Sequence, residues 1–127
     1  MNTLEKKLGQ ETGVSATAVR WIKLETELQM EEIKSNSNQK LQLIFKHSTR
    51  CIISKMALKQ FEKEYDFADQ MDLYLLDLLQ NRDISNQIAT NYDIQHQSPQ
   101  LILIQNSKAI YNASHENIEA STLKNYL

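Results

Sequence analysis

This chain of 127 residues is poor in the residue types that most constrain a backbone: one cysteine, one proline and two glycines. A single cysteine excludes an internal disulfide and suits a compartment where thiols stay reduced. Structural zinc takes four ligands at recognisable spacing. One cysteine and three scattered histidines supply no such set, so neither a metal nor a bound cofactor is expected. Both glycines, Gly9 and Gly13, lie near the start, and a glycine-rich phosphate loop is therefore absent. No apolar run reaches the ~18 residues that a membrane span needs. The opening Met1-Asn2-Thr3-Leu4-Glu5-Lys6 lacks the apolar stretch of a secretory signal. Net charge is only −2, which gives no electrostatic case for nucleic acid or an anionic membrane. A cytoplasmic protein with neither partner is the expectation.

What is present fits one globular domain with an ordinary core. Residues 1–19 are set apart as an N-terminal arm, because Gly9 and Gly13 break the short pattern of Leu4 and Leu8. The domain is expected over 20–127. Trp21 to Leu24 reads as a short strand, and Glu25 to Lys34 as a helix with Leu28, Met30 and Ile33 inward. Leu41 to Phe45 is a buried strand. From Cys51 the period becomes four, with Ile53, Ala57, Phe61 and Tyr65 on one helix face. Met71 to Leu79 is a second buried strand, and Asn81 to Tyr92 returns to helical spacing through Ile84 and Ile88. After the lone proline, Pro99, come the strand Gln100 to Ile104, a polar turn, and a hairpin partner at Ala109 to Tyr111. Glu119 to Leu127 closes the chain as a helix. The order βαβαβαββα predicts an α/β fold with a central mixed sheet flanked by helices.

The candidate chemistry centres on Cys51, placed where strand pattern gives way to helix pattern. A lone intracellular cysteine is commonly inert core filling. A thiol at a helix N-terminus instead meets unpaired N–H groups and partial positive charge, which favour the reactive thiolate. Arg50 adds a fixed charge next door, and Lys46 and His47 are candidates to add more. Ser54, three residues on, is either a solvated helix serine or a hydroxyl able to donate to the sulfur. A thiolate attacks a disulfide through a mixed-disulfide intermediate. With no second cysteine, Cys51 cannot resolve that intermediate itself, and the adduct must pass to another thiol. Asp66, Asp69, Asp72 and Asp77 read more simply as solvated charges than as a cation site.

Several segments in order carry a resemblance. Ile88-Ala89-Thr90-Asn91-Tyr92, then Ser98-Pro99-Gln100-Leu101-Ile102-Leu103-Ile104, then Asn106-Ser107-Lys108 resemble the helix, cis-proline strand and hairpin of the thioredoxin-like fold. Phe45-Lys46-His47-Ser48-Thr49-Arg50-Cys51-Ile52-Ile53-Ser54 resembles the active-site segment of the bacillithiol-system YtxJ-like family, the monothiol bacilliredoxins; Gln97-Ser98-Pro99-Gln100 and Ala113-Ser114-His115 fit as well. The likeness spans roughly residues 21 to 127. It implies a thiol–disulfide oxidoreductase that removes bacillithiol, a low-molecular-weight thiol co-substrate, from S-thiolated client proteins through a Cys51 adduct. It implies catalytic roles for Cys51, Ser54 and Arg50. It places Thr49, Ser98, Pro99, His96 and His47 at the substrate, with the peptide bond before Pro99 cis and the Ser98 backbone pairing with an extended segment. Surface or structural roles are the plainer alternative for His47 and His96, and His115 has no evident role. Ile52 stands where the family commonly has proline, and Ser54 where dithiol relatives have a second cysteine. A catalytically weak thioredoxin-fold peptide-binding module is the competing expectation.

Overall fold

The computed structural model describes residues 19–127. Of the expected arm over 1–19, residues 1–18 lie outside the described residues, and Val19 packs against the core. Strand β1 is short, Ile22–Lys23. Helix α1 runs Glu27–Asn36 and starts at a capping box, in which the Thr26 side chain accepts from the Gln29 N–H and the Gln29 side chain reaches back to Thr26. Strand β2, Leu41–His47, is buried throughout. Helix α2 is Ile52–Glu64, strand β3 Met71–Asp77 and helix α3 Arg82–Asn91. Strands β4, Gln100–Gln105, and β5, Lys108–Ser114, form the closing hairpin. Its two loop residues, Asn106 and Ser107, both have positive φ, as a tight hairpin turn with matching twist requires.

The sheet order is β1-β3-β2-β4-β5. β1, β3 and β2 are parallel, and β4 and β5 are antiparallel to their neighbours. Side-chain alternation along β2 builds a core on each face. Leu41, Leu43 and Phe45 meet Phe61 of α2, its C-cap residue Tyr65, and Leu123 near the end of the chain. Ile44 meets Met30 and Ile33 of α1 and Ile84 and Ile88 of α3. Trp21 does not join β1; it packs edge-on to Phe45 at 5.9 Å and its Nε1–H donates to Glu62 at 2.7 Å. No helix among the described residues is long and apolar enough to cross a membrane.

Four local expectations are corrected. Ile53 is 61% exposed; the inward face of α2 begins at Ser54 instead, while Ala57, Phe61 and the C-cap residue Tyr65 pack inward as expected. Leu28, expected inward, is likewise exposed. The closing helix expected over Glu119–Leu127 is a 3₁₀ segment, Ala120–Tyr126, which still buries Ala120 and Leu123, and a further 3₁₀ turn, His115–Asn117, precedes it. Strand β3 also stops earlier than expected, at Asp77, whose side chain accepts from the Leu79 N–H at 3.0 Å and turns the chain.

Candidate active site

The parallel strands β2 and β3 end in register, His47 beside Asp77. β4 enters from the opposite direction, with Gln100 beside Lys46. The turn into α2 and the loop holding Pro99 are thereby brought to one end of the sheet. That end, beyond the carboxyl ends of the parallel strands, is where open α/β sheets place ligands.

Cys51 is the N-cap residue of α2 in extended conformation, and its side chain makes no capping bond. Its N–H donates to the Ser48 carbonyl at 3.2 Å, and its carbonyl accepts the first helical bond from Lys55 at 3.0 Å. The sulfur therefore stands at the start of a thirteen-residue helix, on a partly exposed residue. Thr49 and Arg50 form the exposed turn before it.

Ser54 is fully buried. Its Oγ accepts from the Ser48 N–H at 3.0 Å and lies 2.9 Å from His47 Nδ1. Burial holds the His47 imidazole below its ordinary 6.5, against the opposing pull of Asp77. A neutral ring with Nδ1 as acceptor lets the Ser54 O–H donate, which satisfies all three groups. The expected hydroxyl-to-sulfur bond is therefore not formed; Ser54 shapes the turn that presents Cys51. Ser54→Ala is expected to leave the Ser48 N–H and His47 unpaired. The cost should be about 1–3 kcal/mol of stability, read by denaturant unfolding. His47 is buried, not on the exposed rim. It shares with Thr49, Leu75, Asp77 and Asn81 the wall of a cavity of about 240 Å³.

Pro99 is buried behind a cis Ser98–Pro99 bond. The Gln100 side chain clamps the preceding loop: its Oε1 accepts from the Gln97 N–H at 3.3 Å, and its Nε2 donates to the Gln95 carbonyl at 3.0 Å. The His115 N–H donates to the Pro99 carbonyl at 3.1 Å. This gives His115 a structural part through its backbone. Ser98 Oγ is buried and has no hydrogen-bond partner among the described residues.

Lys46 does not sit beside the thiol. It points to the α3 face of the sheet, fully buried, where Nζ donates to the Ser85 carbonyl at 3.1 Å and lies 3.1 Å from His96 Nδ1. Burial pulls its amine from 10.5 down to about 8. Strand alternation already put Lys46 on the same face as Ile44; its reach to a loop fifty residues on had no local signal. The acidic residues play separate parts. Asp72 pairs with Lys40 at 3.0 Å and accepts from Gln42, while Asp77 caps a turn. Among the described residues no three metal-binding side chains converge.

Comparison with known proteins agrees with this architecture. The family model for Monothiol bacilliredoxin BrxC matches residues 22–123. A solved thioredoxin-fold protein proposed to be an oxidoreductase is 35% identical, with TM-score 0.71, over 82% of this chain and 90% of its own. Thioredoxins from Malassezia sympodialis (16% identity, TM-score 0.67, 89% of this chain and 92% of theirs) and Trypanosoma brucei brucei (17%, 0.66, 90% and 93%) share the fold. With the family model covering β1 through the second 3₁₀ segment and a single sulfur at the head of α2, the chain belongs to the monothiol bacilliredoxins, thiol–disulfide oxidoreductases of thioredoxin fold.

Proposed function

We propose that Cys51 takes bacillithiol from S-thiolated client proteins. The Cys51 thiolate attacks the bacillithiol sulfur of the client mixed disulfide. One S–S bond breaks, one forms, and the client leaves as its thiolate. The adduct on Cys51 is cleared when a second thiol attacks the bacillithiol sulfur and Cys51 departs as thiolate. The observation that carries this reading is the placement of the chain's single thiol: a partly exposed N-cap position on α2, at the end of the sheet where the cis-proline loop enters. No second cysteine exists to release the adduct internally.

Thr49 and Arg50 supply the exposed approach, and Ser54 with His47 holds the turn in shape. The Ser98 backbone, before the cis Pro99, pairs with an extended client segment. Ile52, Ile53 and Met56 lie exposed on the first turns of α2 beside the sulfur, an apolar margin suited to a protein surface. The test compares transfer from one client protein carrying bacillithiol, glutathione or coenzyme A in mixed disulfide. Transfer to Cys51 should be fastest from the bacillithiol form. Equal rates from all three would sink the assignment of the small thiol while leaving monothiol exchange intact.

A further inference from the structure

The turn that presents Cys51 hangs on a buried imidazole. Ser48 is pinned through both of its backbone groups: its carbonyl accepts from the Cys51 N–H at 3.2 Å, and its N–H donates to Ser54 Oγ at 3.0 Å. Ser54 Oγ in turn lies 2.9 Å from His47 Nδ1. Both side chains are more than nine-tenths buried, so the hydroxyl has no solvent to fall back on. With the ring neutral, the Ser54 proton goes to Nδ1 and every group in the chain of bonds is satisfied. Protonation at Nδ1 reverses that bond. The ring N–H becomes the donor, Ser54 Oγ accepts from both His47 and Ser48, and the hydroxyl proton is left buried without its acceptor. Water can carry the proton in, because His47 lines the cavity of about 240 Å³, which is large enough to hold water. The charged groups around the ring are mixed. Asp77 stands beside it in register on β3. Lys55 and Glu62 act on it from α2. Lys23, ending β1, and Glu25 just after it share the cavity wall, and Arg50 and Cys51 itself belong to the turn. β4 carries no charged residue, and Lys46 points to the opposite face. Burial outweighs the carboxylates and keeps the ring neutral at neutral pH.

We propose that His47 is a positioning residue whose charge state sets the reactivity of Cys51: neutral, it holds the Ser54 hydroxyl and the thiol-bearing turn in reactive geometry; protonated, it releases them. The inference rests on the reading of Cys51 as the exchanging thiol. It adds a regulation of that same site, an acid brake that acts through Ser54 and Ser48 and not by contact with the sulfur or the substrate. The brake lies below pH 6.5, since burial places the titration of the ring under its ordinary value.

The test follows Cys51 adduct formation with an uncharged probe, 2-hydroxyethyl disulfide, from neutral to mildly acidic pH. Each rate is divided by the thiolate fraction, read from its ultraviolet absorbance in the same sample. In the full chain this thiolate-specific rate should fall roughly tenfold, the worth of one buried hydrogen bond. The midpoint of the fall should match the titration of the His47 ring followed by NMR. His47→Asn, whose side-chain carbonyl can accept from Ser54 but cannot titrate, should recover most of the neutral-pH rate and show no acid fall. His47→Leu, with no acceptor, should be slow at every pH. Ser54→Ala leaves the imidazole to titrate but cuts its link to Ser48, so its rate should be low and flat; a brake acting by charge alone would survive there. The ring ¹⁵N shifts of the wild type should report an unprotonated Nδ1 at neutral pH, a readout that needs no variant to fold. A flat wild-type profile, an acid fall that persists in Ser54→Ala or His47→Asn, or a ring protonated at Nδ1 at neutral pH overturns the proposal. Absence of any Cys51 adduct at neutral pH would instead overturn the exchange reading beneath it.

Discussion

Cys51→Ser is expected to abolish small-thiol transfer completely while leaving the fold intact or slightly more stable. The two halves of that expectation come from the same position. Cys51 is the N-cap of α2 and makes no side-chain capping bond. Serine is among the preferred N-cap residues, and its oxygen can accept an orphan N–H of the first turn, worth about 1 kcal/mol. The variant should therefore unfold at equal or higher denaturant concentration. Chemically it has no thiol left, since the chain holds one cysteine. Intact mass after exposure to a bacillithiol mixed disulfide should show no adduct. An unfolded variant would leave its inactivity without meaning; a stable variant that still transferred would remove Cys51 from the mechanism.

The second large effect concerns Lys46. Its amine is fully buried and held at about 8 against the ordinary 10.5. The sign follows directly. Between pH 8 and 10.5 the unfolded chain keeps a proton that the folded chain has released, so stability rises with pH across that window. The cost of keeping the charge buried at neutral pH is about 3 kcal/mol, in part offset by the bonds to Ser85 and His96. Tyr65, raised to about 12 by burial, acts in the opposite direction above pH 10. The clean window is therefore pH 8 to 9.5, where wild-type stability should climb by about 1.5 kcal/mol. In Lys46→Met that climb should vanish. Urea denaturation at several pH values reads both, and parallel curves for the two proteins would contradict the placement of the amine.

Much of this was legible because the strong signals are local. Leu41–Phe45 and Gln100–Ile104 are apolar runs bounded by polar turns, and both became strands of the sheet. Cys51 at the change of period became the head of α2, and the lone proline became the cis residue entering β4. Two of the misread parts share one cause: a buried polar group stood where an apolar or surface residue was expected. Ser54 took the inward place that Ile53 was expected to hold, because His47 and the Ser48 N–H satisfy its hydroxyl. Lys46 looked like a surface charge near the thiol, yet the sheet turns it inward to partners on α3 and in the loop before Pro99. Periodicity reports only apolar residues, so a serine or lysine inside a core leaves no mark on it. The last segment failed differently. Ala120 and Leu123 bury three residues apart, and that spacing serves a 3₁₀ segment as well as an α-helix.

The central claim is that one sulfur must both capture the small thiol and then wait for an outside thiol to release it. A single-turnover mixture of the reduced protein with an equal amount of S-bacillithiolated client, followed by intact mass of both chains, tests it most directly. The account expects the client to lose one bacillithiol and this chain to gain one on Cys51, with the adduct persisting until a second thiol is added. A client freed with no adduct left on this chain would contradict it.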